Sequence, residues 1–196
     1  MIHSVENLHR FGLKVFLQSS PDPNPHAFVP VFHRWIQTHA VDGLLIDVAD
    51  YTHLKDGPQV LLAGHEGNYS IDCSEGRTSL HYYRKTPTGG SLLDRLVTSC
   101  RTIFRASVLL EADESLGARY FFRGDEIQFI TNDRLTAPST QKTIAELKPT
   151  LDALLKILFR ENAVGVSNNT GPGERLKLNL RSSHNAPIKD LLSRIS

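Results

Sequence analysis

The sequence predicts an α+β domain: a mostly antiparallel mixed sheet of about seven or eight strands, an N-terminal βαβ unit, a four-strand meander and three main helices. Three observations carry this expectation. Residues 42–85 break into four short apolar runs separated by turns rich in Gly, Asp and Glu. Leu13–Leu17 alternates as a strand does, and an amphipathic stretch follows it. Two longer segments, opening near Ser91 and Ser139, repeat apolar residues at three- and four-residue steps.

After the first strand, Pro21-Asp22-Pro23-Asn24-Pro25 makes a connection that cannot be helical throughout. Phe28, Val31, Phe32, Trp35 and Ile36 then mark one face of a helix, and Pro30 fits only in its first turn, so the helix begins near Phe28. Asp42-Gly43 closes it. A strand–helix–strand run of this length places Leu13–Leu17 and Leu44–Asp50 parallel in one sheet. The meander strands are Leu44–Asp50, Pro58–Gly64, Asn68–Cys73 and Thr78–Arg84.

The helix from Ser91 to about Leu110 buries Leu92, Leu93, Leu96, Val97, Cys100, Ile103 and Phe104. Arg119–Arg123 and Glu126–Thr131 flank Gly124-Asp125 and read as a second hairpin. A helix from about Ser139 to Arg160 follows, which Pro149 should kink or split. Val164–Val166 is a short strand, Ser167–Gly173 a loop, Arg175–Arg181 a strand and Ile188–Ile195 a closing helix. Pro58–Leu110 and Arg119–Arg160 share a hairpin–helix layout, which suggests an internal repeat.

The 196 residues suit one globular domain spanning 1–196, and 40% apolar with 22% charged residues is ordinary soluble composition. A formal charge of +1 supplies no global field for nucleic acid or anionic lipid. No apolar run reaches the ~20 residues of a membrane span. Met1–Ser20 lacks the apolar core of a signal peptide. Cys73 and Cys100 have no metal-ligand spacing and suit a reducing compartment. The expectation is a cytoplasmic, soluble protein without metal, cofactor or membrane partner.

The meander sorts polar residues onto two rims, because neighbouring strands lie ~4.8 Å apart and each residue advances ~3.3 Å. One rim gathers Asp50, Tyr51, His53, Asp72, Ser74 and Glu75. The other gathers Asp42, His65, Glu66, Arg84, Lys85 and the Gly89-Gly90-Ser91 helix start. The second rim is the preferred site. His65 and Glu66 are the candidate catalytic acid–base pair, and Arg84, Lys85, Gly89, Gly90 and Ser91 the candidate ligand-binding residues. A helix start offers free N–H groups and a favourable dipole to an anion, and two cations stand beside it. Against this, Ser91 and Asp94 form a capping pattern that satisfies those N–H groups internally.

Other motifs are absent or weak. His65-Glu66 is no zincin signature, since Tyr69 stands where a second His is required, and neither a phosphate-loop nor a Gly-x-Ser-x-Gly motif occurs. Asp47 interrupts an apolar strand and needs a partner or solvent. Asn168–Arg175 has the composition of a flexible turn. Arg101, Arg105, Arg119, Arg123 and Arg134 are interleaved with Glu111, Asp113, Glu114, Asp125, Glu126 and Asp133, so no nucleic-acid footprint emerges. The functional expectation is a domain that binds a ligand or partner. The alternative is an enzyme acting on a small phosphate- or carboxylate-bearing substrate. Exposed edge strands suggest a homodimer.

Overall fold

A computed structural model describes residues 4–18, 24–171 and 173–196. The Pro21-Asp22-Pro23 part of the proline-rich connection and Pro172 of the later turn lie outside the described residues. The elements run β1 (Phe11–Leu17), α1 (Phe28–Thr38), β2 (Leu45–Asp50), β3 (Pro58–Gly64), β4 (Gly67–Asp72), β5 (Ser79–Arg84), α2 (Leu92–Glu111), β6 (Phe122–Thr131), α3 (Gln141–Phe159), β7 (Ala163–Asn168), β8 (Lys177–Ser182) and α4 (Ile188–Ser193). The strands form one eight-stranded sheet in the order β2-β3-β4-β5-β1-β6-β8-β7. Every pairing is antiparallel. This is the α+β architecture expected, with the meander in place. β1 and β2 do run in the same direction, but β3, β4 and β5 stand between them, so no parallel ladder forms.

The helices share one face of the sheet. Trp35 of α1 packs its ring 6.2 Å from that of Tyr69 on β4, and α2 contacts β5, β1, α3 and α4. Phe11, Leu13, Val15, Leu62, Leu80, Ile127, Phe129, Leu178 and Leu180 meet Leu92, Leu96, Ile103, Phe104, Leu147, Leu151 and Leu158 in a single core. Alternation along each strand supplies this face, while the opposite face receives the residues between them.

One local expectation fails, and one of two alternatives at Pro149 is excluded. No hairpin breaks at Gly124-Asp125: β6 is one ten-residue strand running through both. Gly124 is present because the chain before α4 crosses it. Its N–H donates to Asn185 Oδ1 at 2.8 Å, and a Cβ there would stand 2.0 Å from the Ala186 carbonyl oxygen. Pro149 does not split α3, which runs as one helix from Gln141 to Phe159. Pro149 is exposed, so water can solvate the carbonyl its missing N–H leaves free.

With that hairpin gone, the proposed repeat dissolves and a different internal relation replaces it. β1 and β6 are antiparallel neighbours at the sheet centre. Each is followed by a helix, an edge strand and a hairpin return, giving β1–α1–β2–β3 and β6–α3–β7–β8. Both edge strands carry a bulge at the same relative place, between Leu45 and Asp47 and between Ala163 and Gly165. The bulged residues Ile46 and Val164 are 59% and 68% exposed. Edge bulges interrupt the row of backbone groups that another strand would pair with. Among the described residues no helix is long and apolar enough to cross a membrane.

Candidate functional site

The β3–β4 turn and the end of β5 meet as strand spacing requires. Gly67 lies opposite Arg84, and the Glu66 carbonyl accepts the N–H of Lys85 at 2.9 Å and of Thr86 at 3.3 Å. The Glu66 carboxylate turns the other way and accepts the Leu44 N–H at 3.0 Å. That bond, with its own backbone N–H and the charges of His65 and Arg84, holds Glu66 below the usual carboxylate range against a smaller opposing effect of burial. Glu66 is therefore ionised near neutrality and has no proton to donate. His65 is exposed and, among the described residues, is tied only by its backbone N–H to Leu44 O at 2.8 Å.

The start of α2 sits on this same rim. Ser91 and Asp94 form a reciprocal capping box, and the Glu6 carboxylate accepts the Leu92 N–H at 3.2 Å. The protein's own oxygens thus occupy the groups that the Gly89-Gly90-Ser91 start would offer an anion. Gly90 adopts φ +84°, which turns its carbonyl toward Arg95; Arg95 Nη1 donates to it at 2.6 Å.

Arg95 is the group that sequence reasoning missed. It lies on the buried side of α2, 3% exposed, and also donates to the Glu6 carbonyl. Arg84, 8% exposed, lies close enough that each guanidinium acts on the same neighbour. Burial first, then the charges of Arg95 and Arg84, lower the pKa of His9. The Nε atoms of both arginines and Nδ1 of His9 are buried without a hydrogen-bond partner. Among the described residues neither arginine forms an ion pair within 4.0 Å. The rim is therefore cationic beneath its surface. Its charge comes from Arg84 on β5 and Arg95 on α2, which no local motif could join.

A second polar assembly occupies the sheet face away from the helices. Lys14, Ser70, Asp72, Ser79, Glu126, Gln128 and Asn179 are all buried there. Gln128 Nε2 donates to Asn179 Oδ1 at 3.0 Å, Asn179 Nδ2 donates to Glu126 Oε1 at 2.9 Å, and Arg77 clasps Glu126 with two bonds. An ion pair from Glu75, in the β4–β5 turn, reaches Lys177 on β8 across β1 and β6. Partners on nearby strands cover side chains that alternation alone assigns to water. His81 lies at the centre of this face with Nε2 buried and unpartnered. Burial pushes its pKa down to about 3, with the Lys14 charge adding to the effect.

The remaining candidates are ordinary. Asp47 is exposed on edge strand β2 and accepts the Val48 N–H at 2.8 Å. Cys100 is buried and its thiol pKa is pushed up to about 12 by desolvation, which makes it inert. Among the described residues no group of three or more His, Cys, Asp or Glu is placed to hold a metal ion. Comparison with known proteins finds no matching family model, no matching curated protein and no matching solved structure.

Proposed function

We propose that this domain binds a small phosphate- or carboxylate-bearing ligand at the rim formed by Arg84, Lys85 and Arg95, with the Gly89-Gly90-Ser91 start, whose N–H groups are capped internally, excluded from the contact. The observation that carries the reading is the pair of buried guanidiniums, each with an unpartnered Nε and without an ion pair among the described residues. A buried guanidinium N–H without an acceptor is costly even with the Glu66, Glu6 and Asp94 carboxylates at longer range, and an anion that supplies two or more oxygens relieves that cost. Binding is favoured over catalysis. Glu66 is held ionised by the Leu44 N–H, and His65 is exposed with no group to orient its ring among the described residues. General acid–base work needs a poised proton and a fixed geometry.

Thermal unfolding with added phosphate or citrate, against chloride at matched ionic strength, tests the reading. A ligand at ten times its Kd stabilises by about 1.4 kcal/mol, or ~3–6 °C for a chain of this size. Arg84→Met should keep the melting temperature and abolish the ligand shift. No shift in the native protein, or an equal shift in Arg84→Met, overturns it.

Self-association belongs to the same reading. Leu44, Ile46, Tyr51 and Leu54 are exposed together around β2, and a second copy packed side-on would cover them. Sedimentation should show a dimer that Ile46→Lys dissociates; a monomer at every concentration removes this part.

A further inference from the structure

A cavity of about 350 Å³ lies between the turn after α1 and the outer face of α2, beside the rim but apart from Arg84 and Arg95. Its walls include Val41, Val108 and the partly exposed Leu109, and Tyr69 reaches it from the sheet. Its size is that of a small-molecule site, mostly apolar with a few polar groups. Two of those groups can serve a ligand, one unpartnered and one through exchange of an exposed ion pair. The Tyr69 ring is held by Trp35 and Tyr82, at 6.2 and 4.9 Å, while its hydroxyl has no hydrogen-bond partner among the described residues. Burial, with the Tyr82, Asp42 and Glu66 groups nearby, raises its ionisation far above the ordinary range, so it remains a donor.

The second group is Arg105. Its Nη1 donates to Asp42 Oδ2 at 2.9 Å, but the two side chains are 51% and 75% exposed. Such a pair contributes little and exchanges readily, and the more solvated Asp42 leaves at less cost. Thr102 adds no competing donor, because its hydroxyl donates to Thr98 O at 3.0 Å.

We propose that this cavity is a binding site for a small monocarboxylic acid with a compact apolar body. The body fills the space against Val108 and Leu109, and the carboxylate accepts from Tyr69 Oη and Arg105 in place of Asp42. The site does not depend on Arg84, so it stands or falls separately from the rim.

Trp35 is the chain's one tryptophan and packs against Tyr69, so its fluorescence reports occupancy directly. Titration with 3-phenylpropionate should give a saturable change in emission. The neutral isostere 3-phenylpropanol should bind about tenfold or more weakly, and Tyr69→Phe and Arg105→Gln should each weaken the acid by a similar factor. Arg105 is half exposed, so its variant keeps the fold, which an unchanged melting temperature verifies. Arg84→Met should leave the titration unchanged. The proposal is overturned if no saturable change occurs up to about 20 mM. It is equally overturned if the alcohol binds as well as the acid, or if Arg84→Met abolishes the signal while Arg105→Gln does not.

Discussion

Lys14 Nζ lies 2.7 Å from Asp72 Oδ1, with the two side chains only 9% and 8% exposed. The pair links β1 to β4 across β5. Burial works to raise the Asp72 pKa, but Lys14 and the Ser74 hydroxyl and N–H outweigh it and hold the carboxyl low. Lys14→Met should therefore cost about 3–5 kcal/mol in denaturant unfolding, because it leaves a buried carboxylate alone. Lys14→Met combined with Asp72→Leu should recover most of that loss. The folded pKa is depressed, so the pair's contribution is complete above 3.8 and fades as pH falls through the lower folded value. Asp72→Asn should remove that acid-dependent part of the stability curve.

His81 adds a second loss of stability on the acid side of neutrality, beginning at higher pH. Its folded pKa of about 3 lies below the ordinary 6.5, so the unfolded chain takes up the proton first. Stability should be flat above pH 6.5 on this account and fall by about 1.4 kcal/mol per pH unit below it. The decline from this group ends near pH 3. His81→Gln should flatten the slope between pH 6 and 4. Proton NMR checks the same point directly: the His81 ring signals should stay at their neutral positions at pH 5.

Gly12 and His81 form a packing pair that can be tested by exchange. A Cβ on Gly12 would stand 2.2 Å from His81 Nε2. Gly12→Ala should cost about 1–3 kcal/mol, as overpacking does. In the His81→Ala background the same change should be close to neutral. Equal costs in both backgrounds would remove the contact between them.

How much of this was legible depends on the range of the interaction. The meander and the meeting of Glu66 with Lys85 follow from strand spacing, so local alternation sufficed to place them on one rim. Arg95 could not be found that way. Its partner Glu6 lies 89 residues away, and at its own position it resembles any polar residue on an amphipathic helix. Lys14 and Asn179 take strand positions that alternation assigns to water, and the partners that cover them, Asp72 and Glu126, lie far off in sequence. Gly124-Asp125 misleads for a chemical reason. Glycine permits a turn and it also permits close approach, and the sequence does not distinguish the two.

That ambiguity yields the last prediction. Were Gly124 a hairpin turn, a small side chain there would point to solvent at modest cost. Here a Cβ would meet the Ala186 carbonyl oxygen at 2.0 Å and its carbon at 3.0 Å, both backbone atoms that cannot rotate away. Gly124→Ala should therefore destabilise by about 3 kcal/mol, at the upper end of overpacking effects, and should loosen the docking of α4. Gly89→Ala serves as the control, since nothing lies within 4 Å of its Cβ position and no left-handed φ is involved. That substitution should leave stability within about 0.5 kcal/mol of the native protein. Hydrogen exchange would locate the difference, with faster exchange across Ile188–Ser193 in Gly124→Ala alone. Equal stability of the two variants would mean that the chain before α4 does not cross β6 as described.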